Sequence, residues 1–154
     1  GYAPASFGTD ESDFYSALAP YGDWIRSDRY GLVWSPYDKL VDWRPYTDGE
    51  WIWTDYGWAW AANEDWGWAT YHYGRWYDDP YDGWCWVPGR EWAPAWVAWR
   101  EGGGWVGWAP LPPELAWGNG GWQGNNDWDR LPGVELGELH ACRCAWRRSQ
   151  GLTR

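Results

Sequence analysis

The chain has 154 residues, of which 21 are Trp, 11 are Tyr and 21 are Gly, and its formal net charge is −10. This length fits one domain with a substantial core, and the excess of aromatic residues over helix formers favours strands joined by turns. The acidic balance argues against nucleic acid and anionic membrane surfaces as partners, because both need a basic footprint. The only basic cluster is Arg143, Arg147, Arg148 and Arg154 at the C-terminal end.

The chain divides into three predicted segments. Residues 1–9 are expected to form an N-terminal arm, residues 10–113 a Trp-rich β domain, and residues 114–154 a Gly- and Asn-rich extension. At the start of the domain, Phe14 and Leu18 follow N-cap candidates at helical spacing, which predicts a short amphipathic helix. We expect this helix to lay both side chains across the end of a sheet.

From Asp23 onward the hydrophobic period is two, which is typical of strands. The segments 24–26 and 32–34 flank a turn and predict a first hairpin, and Asp48-Gly49 is a second hairpin signal. Residues 66–76 form the longest alternating run and are predicted to be one strand. Because strand side chains alternate, His72 would share a face with Trp66, Trp68 and Trp76.

A repeat follows in the middle of the chain. A shift of 26 residues superposes Gly57-Trp58 on Gly83-Trp84 and Trp66 on Trp92, and a looser first copy precedes them. We therefore predict an all-β fold of antiparallel meanders in about three pseudo-repeats of ~25 residues, barrel-like or stacked, with a short N-terminal helix. The shifted copy has Ala98 where His72 stands, which favours a scaffold role for this stretch.

Several motifs occur in a recognisable order. They are PYGDW at 20–24, VDWRPY at 41–46, WGWATYHYGRW at 66–76, GWCWVPG at 83–89 and VGWAPLPP at 106–113. With these motifs the chain resembles an uncharacterised Trp-rich family of bacterial exported domains, over about residues 12–113. The resemblance implies a secreted or envelope protein and transfers no activity and no catalytic residue.

Export is also expected from the start of the sequence. The chain contains no Met and begins Gly-Tyr-Ala-Pro, without an apolar run that could be a signal segment or a membrane span. We interpret it as a mature chain whose signal peptide was removed, located in the periplasm, at the cell surface or outside the cell. A trimmed chain is the alternative.

The three cysteines are Cys85 in the repeat and Cys142 and Cys144 in the extension. Their spacing does not fit a structural zinc site. In an exported protein Cys85 would bridge to Cys142 or Cys144. Three unpaired thiols are the alternative, and the sequence leaves both open.

Candidates for chemistry are few. His72 would be a general base or a ligand, but no second His and no Ser or Cys motif accompanies it, and His140 is weaker still. Carboxylates beside aromatic residues would suit a glycan hydrolase, which is the least favoured hypothesis. We predict no catalytic residue, no cofactor and no metal. The weak calcium candidates, which equally suit turns, are Asp78, Asp79, Asp82, Asp127 and Asp129.

The tryptophans are expected to form a structural aromatic ladder, with a surplus on the surface. Arg44, Arg75 and Arg100 lie beside aromatic residues and are expected to stack on them. The ladder comprises Trp51, Trp53, Trp58, Trp60, Trp66, Trp68, Trp76, Trp84, Trp86, Trp92, Trp96, Trp99, Trp105 and Trp108.

The favoured function is a non-catalytic, exported structural protein of the bacterial envelope or extracellular matrix. Exposed aromatic surface usually binds a partner, and here the expected partner is another copy of the chain, in an oligomer, polymer or filament. The alternative is a carbohydrate-binding module in which exposed Trp and Tyr rings stack on sugars. Neither hypothesis includes nucleic acid or a membrane span.

Overall fold

The computed structural model describes residues 11–118, 121–123 and 145–148. These residues form antiparallel strands in several small sheets, together with two short helices, so the all-β prediction is confirmed. The elements in chain order are α1 (Glu11–Leu18), β1 (Gly22–Ser27), β2 (Gly31–Pro36), β3 (Gly49–Thr54), β4 (Gly57–Ala62), α2 (Gly67–Thr70), β5 (Arg75–Asp79), β6 (Gly83–Val87), β7 (Val97–Gly102), β8 (Trp105–Pro110), β9 (Ala116–Gly118), β10 (Gly121–Gln123) and β11 (Ala145–Arg148).

The largest sheet has four strands in the order β1-β2-β6-β5. Its register aligns one indole from each strand, with Trp24 opposite Trp34, Trp34 opposite Trp86, and Trp86 opposite Trp76. Directly opposed residues share a sheet face, so one row of tryptophans crosses the whole sheet. The first predicted hairpin is confirmed as β1–β2.

Two further sheets meet through aromatic side chains. In the β3–β4 hairpin Trp51 lies opposite Trp60, and in the β7–β8 hairpin Trp99 lies opposite Trp108. The ring centroids of Trp51 and Trp99 are 4.4 Å apart, which joins the two hairpins in one aromatic core. Strand β11 adds to the outer edge of β8, and β9 pairs with β10.

The repeating unit is a single hairpin and not a three-stranded meander. Gly57 and Gly83, which begin the second strands of successive hairpins, have the predicted spacing of 26 residues. The units β1–β2 and β5–β6 share the four-stranded sheet, whereas β3–β4 and β7–β8 lie in two other sheets. The described strands therefore follow the stacked alternative and not the barrel-like one. The Asp48-Gly49 hairpin signal is wrong, because Gly49 begins β3 and the chain reverses only between Thr54 and Gly57.

Helix α1 closes one side of the aromatic core, as predicted. Phe14 and Leu18 are fully buried, and the Phe14 ring meets the Trp86 ring edge-on with centroids 5.2 Å apart. The Trp34 indole N–H donates a hydrogen bond of 3.0 Å to the carbonyl of Leu18, which satisfies one of the carbonyls left open at the helix end. None of the helices in the described ranges is long and apolar enough to cross a membrane.

Candidate functional site

The segment 66–76 is not a strand, so its predicted division into two faces is wrong. Helix α2 occupies Gly67–Thr70, and β5 begins only at Arg75. A Cβ on Gly67 would lie 2.4 Å from the Cβ of Ala62, so glycine lets this helical turn approach β4 closely. Gly74 then turns the chain with a φ of 67°, where a Cβ would lie 2.1 Å from the carbonyl oxygen of Val87.

The turn after α2 is held by side chains and not by a strand ladder. Four successive carbonyls, from residue 70 to residue 73, each accept a hydrogen bond from a distant aromatic side chain. Buried carbonyls need such partners, and the indole N–H supplies three of the four. The pairs are Trp76 Nε1 to Thr70 at 2.9 Å, Tyr46 Oη to Tyr71 at 2.9 Å, Trp96 Nε1 to His72 at 2.9 Å, and Trp86 Nε1 to Tyr73 at 2.7 Å.

His72 is enclosed by this arrangement. Its side chain is only 7% exposed, its Nδ1 lies 3.0 Å from the carbonyl oxygen of Ala93, and its ring stacks on Trp92 with an interplanar angle of 15°. Burial lowers the pKa of the His72 imidazole, which favours its neutral form. A neutral, walled-in imidazole bonded to backbone suits a structural role; His140 lies outside the described residues.

An acidic groove with aromatic walls lies beside this turn. It has a volume of about 780 Å³ and is lined by residues 20–21, by the β2–β3 loop and by residues 63–66. Its aromatic lining is Tyr21, Tyr37, Trp43 and Trp66, and none of the Lys and Arg residues that the structure describes lines it. No sequence spacing marks this groove, because its walls come from loops separated along the chain. Its carboxylates are Asp38, Asp42, Asp48, Glu64 and Asp65.

Glu64 has the most perturbed carboxyl group of the groove. The Tyr71 hydroxyl donates a hydrogen bond of 2.5 Å to Glu64 Oε2, and burial raises the pKa of Glu64 to about 7. The other oxygen, Oε1, is buried and has no hydrogen-bond partner among the described residues. An acid for glycan cleavage must reach the substrate oxygen, and a buried oxygen does not. The buried Oε1 of Glu64 is therefore not placed to act as such an acid.

The tryptophans predicted to form the ladder are mostly internal. Trp53 and Trp68 are each 48% exposed, and they are the exposed members of the set. The sequence prediction omitted Trp34, which is fully buried. The buried members are Trp51, Trp60, Trp66, Trp76, Trp84, Trp86 and Trp108, and the half-buried members are Trp58, Trp92, Trp96, Trp99 and Trp105.

One group of aromatic rings reaches solvent at the end of the β3–β4 hairpin. We call it the aromatic tip, and it consists of Trp53, Tyr56, Trp58 and Trp92. Tyr56 is 55% exposed, and its ring lies 5.5 Å from that of Trp92, while Trp53 and Trp58 meet edge-on at 5.2 Å. The tip is thus a partly wet extension of the aromatic core.

The acidic turn after β5 is organised by its own carboxylate. Asp79 Oδ1 accepts hydrogen bonds from the backbone N–H groups of residues 81 and 82, at 2.8 and 3.0 Å. This is the turn-forming role of Asp, and Asp78 lies within β5. In the described part of the chain no group of three His, Cys, Asp or Glu residues is placed to hold a metal ion. Asp127 and Asp129 lie outside it.

Cys85 and Arg75 have contrasting environments. The Cys85 thiol is buried and unbridged among the described residues, and burial raises its pKa to about 11; Cys142 and Cys144 lie outside these residues. The Arg75 guanidinium lies 4.6 Å from the Trp96 ring, as expected, and donates to the carbonyls of Pro112 and Leu115. Arg75 thereby fixes the segment that follows β8.

The outer edge of β8 is covered by β11, with Arg147 opposite Val106 and Arg148 opposite Trp105. The Arg147 guanidinium donates a hydrogen bond of 3.0 Å to the carbonyl of Gly49. It also lies 5.9 and 5.8 Å from the ring centroids of Trp60 and Trp108. One arginine therefore anchors this strand on the aromatic core.

Residues 15–115 match the sequence profile of a family described as "Family of unknown function (DUF6600)". The chain belongs to this family. The match covers nearly the stretch that the motifs delimit, and it leaves β11 outside. No curated protein and no solved structure matches the chain. DUF6600 membership assigns no activity, so the function must be argued from the geometry.

Proposed function

We propose that this protein is a non-catalytic structural protein, exported to the bacterial envelope or extracellular matrix, that associates with copies of itself. The observation that carries the non-catalytic part is the set of bonds to the carbonyls of residues 70–73. The stretch around His72, which is the strongest catalytic candidate in the sequence, is held by these hydrogen bonds and is buried from solvent. The side chains that enclose this stretch satisfy its backbone carbonyls, which is a structural role.

Self-association is supported by the edge of β8. The family match ends at residue 115, and the strand that covers this edge comes from residues 145–148. A domain cut at the family boundary would leave the β8 backbone unpaired, and such edges pair with other chains unless they are covered. The edge of β8 is therefore a surface that binds a strand from outside the family domain, in this chain its own β11.

Sedimentation velocity over a wide concentration range, followed by electron microscopy, tests this proposal. We expect species larger than the monomer, increasing with concentration, and regular oligomers or filaments in the images. Monomers alone at every concentration would refute self-association. Export is tested by fractionating cells that express the whole gene: recovery only from the cytoplasm would refute it.

The aromatic tip favours a second candidate function, carbohydrate binding. Trp53 and Tyr56 present ring surface to solvent on a rigid hairpin, and half-buried Trp58 and Trp92 support them. Sugar rings stack on such faces without requiring charge, which suits an acidic protein.

Affinity electrophoresis in gels containing polysaccharides tests this candidate. We expect retardation by at least one neutral polysaccharide, and its loss in the Trp53→Ala/Tyr56→Ala variant. Tyr81→Ala is the matched control, because Tyr81 is 96% exposed in the β5–β6 turn, outside the aromatic tip. Equal mobility of the wild type in all gels would exclude the polysaccharides used.

A further inference from the structure

We propose that the edge of β8 is a strand-binding site whose ligand is β11 of a second copy, so that copies join head to tail. This inference rests on the proposed self-association and names its partner and its contact. The same edge binds the chain's own β11 when no second copy is near.

The contact between β8 and β11 is short. It pairs four residues of each strand, from Ala145 opposite Trp108 to Arg148 opposite Trp105. The one described side-chain anchor is Arg147, through its bond to the Gly49 carbonyl and its position near two indole rings. Exchange of this strand breaks one ladder and, among the described side chains, one anchor.

Charge complementarity favours the binding of this strand to an acidic body. Residues 143–154 contain four Arg and neither Asp nor Glu, whereas the whole chain has 12 basic and 22 acidic residues. Residues 1–142 therefore carry 8 basic and 22 acidic side chains, a formal charge of −14. Two bodies repel each other, but the C-terminal segment of one is attracted to the body of the next.

Exchange between copies preserves the described contacts that β11 makes within one copy. Residues 124–144 join β10 to β11, and even a fully extended chain of that length spans at most about 75 Å. Because the contacts are the same, concentration decides between the two arrangements. A tethered strand typically has an effective concentration of about 1 mM, so exchange is favoured where copies are crowded.

The geometry of the exchange predicts the form of the assembly. The donor is β11 and the acceptor is the β8 edge, so each copy offers two different surfaces. Such heterologous contacts give rings when the rotation closes and open filaments when it does not. Strand exchange alone would therefore build a polymer, and no exposed hydrophobic patch is needed for it.

Disulfide trapping between separate full-length chains tests the exchange. One variant carries Trp105→Cys and the other Arg148→Cys, the two positions that lie opposite each other in the β8–β11 register. Both also carry Cys85→Ala, Cys142→Ser and Cys144→Ser, so that no other thiol reacts. The mixed variants are oxidised over a range of concentrations and separated on non-reducing gels, with each variant alone as a control.

We expect a heterodimer band in the mixture that increases with concentration and exceeds the homodimer bands of the single variants. A wild type that assembles while the mixture gives no heterodimer would overturn strand exchange and leave the proposed function standing. A wild type that stays monomeric, with no heterodimer in the mixture, would overturn both.

A peptide experiment protects the test against misfolding of the cysteine variants. The full-length Trp146→Pro/Arg147→Pro variant loses its own donor strand, because alternate N–H groups of an edge strand face its neighbour and proline has none. A fluorescent peptide of residues 141–154 should bind this variant saturably and bind at least tenfold more weakly when it carries R147E. No saturable binding would overturn the inference.

Discussion

Glu64 provides the most direct test of how burial controls stability in this domain. Its pKa is raised from 4.5 to about 7 by burial beside Tyr71. A raised carboxyl pKa means that the folded chain holds its proton more tightly than the unfolded chain. The resulting stability is fully present below pH 4.5, declines as the pH rises, and is lost once the pH exceeds the folded pKa of about 7.

The size of the effect follows from the shift. Moving from 4.5 to about 7 corresponds to a ceiling of about 3 kcal/mol, since one pKa unit is about 1.4 kcal/mol. Glu64 is only half-buried, so solvent screening reduces this value. Glu64→Gln removes the titration and keeps an oxygen that accepts the Tyr71 hydrogen bond. The free energy of unfolding of the variant minus that of the wild type should increase by about 1–3 kcal/mol between pH 4 and pH 8, so that the variant gains on the wild type as the pH rises.

Urea unfolding at several pH values between 4 and 8 measures this difference. The control is Asp65→Asn, which removes an exposed carboxylate from the adjacent position and should shift stability by less than about 0.5 kcal/mol at every pH. A Glu64→Gln difference that stays constant from pH 4 to pH 8 would refute the assigned burial of Glu64.

Three other predictions concern the turn after α2. Tyr46→Phe should lower the free energy of unfolding in urea by about 2–3 kcal/mol, because the buried hydroxyl donates to the Tyr71 carbonyl and accepts from the backbone N–H of Trp96. A loss no larger than that of Tyr81→Phe would contradict this. Gly74→Ala should lower the melting temperature more than Gly103→Ala, since both have positive φ but only the first would contact Val87; equal losses would show that the close approach is unimportant. The His72 ring should titrate below pH 6.5 in NMR spectra, so its stability contribution is lost as the pH falls; a pKa above 6.5 would contradict its burial.

Much of the fold could be predicted from the period of the sequence. The period of two marked the β1–β2 hairpin, and helical spacing marked α1, because these elements depend on local patterns. The segment 66–76 has the same alternation and still folds as a helical turn. Tertiary contacts decide its structure: Gly67 approaches β4, Gly74 turns the chain, and distant side chains satisfy the carbonyls.

The candidate site was less predictable than the fold. Glu64 stands between Asn63 and Asp65, and such a polar triplet normally indicates a turn. The pKa of its carboxyl is raised by burial, whereas the hydrogen bond from Tyr71 lowers it, and the walls of the groove come in part from the distant β2–β3 loop. His72 was conspicuous in sequence because it is the one histidine among aromatic residues. The residue that stands out in the sequence, His72, thus does not line the groove, whereas Glu64 does.

The hydrogen bonds of the indole N–H groups divide the tryptophans by how replaceable they are. Trp76, Trp86 and Trp96 each donate a hydrogen bond to a backbone carbonyl of the turn after α2, so a phenylalanine there would fill much of the space and remove that bond. The His72 carbonyl, which accepts from Trp96, would keep its second bond from the Ala93 backbone N–H. Trp24, Trp51 and Trp60 have buried N–H groups without a hydrogen-bond partner among the described residues. A phenylalanine at these positions would therefore lose buried apolar contact area but no described hydrogen bond. Relatives of this chain should therefore drift to other aromatic residues at the second set while retaining tryptophan at the first.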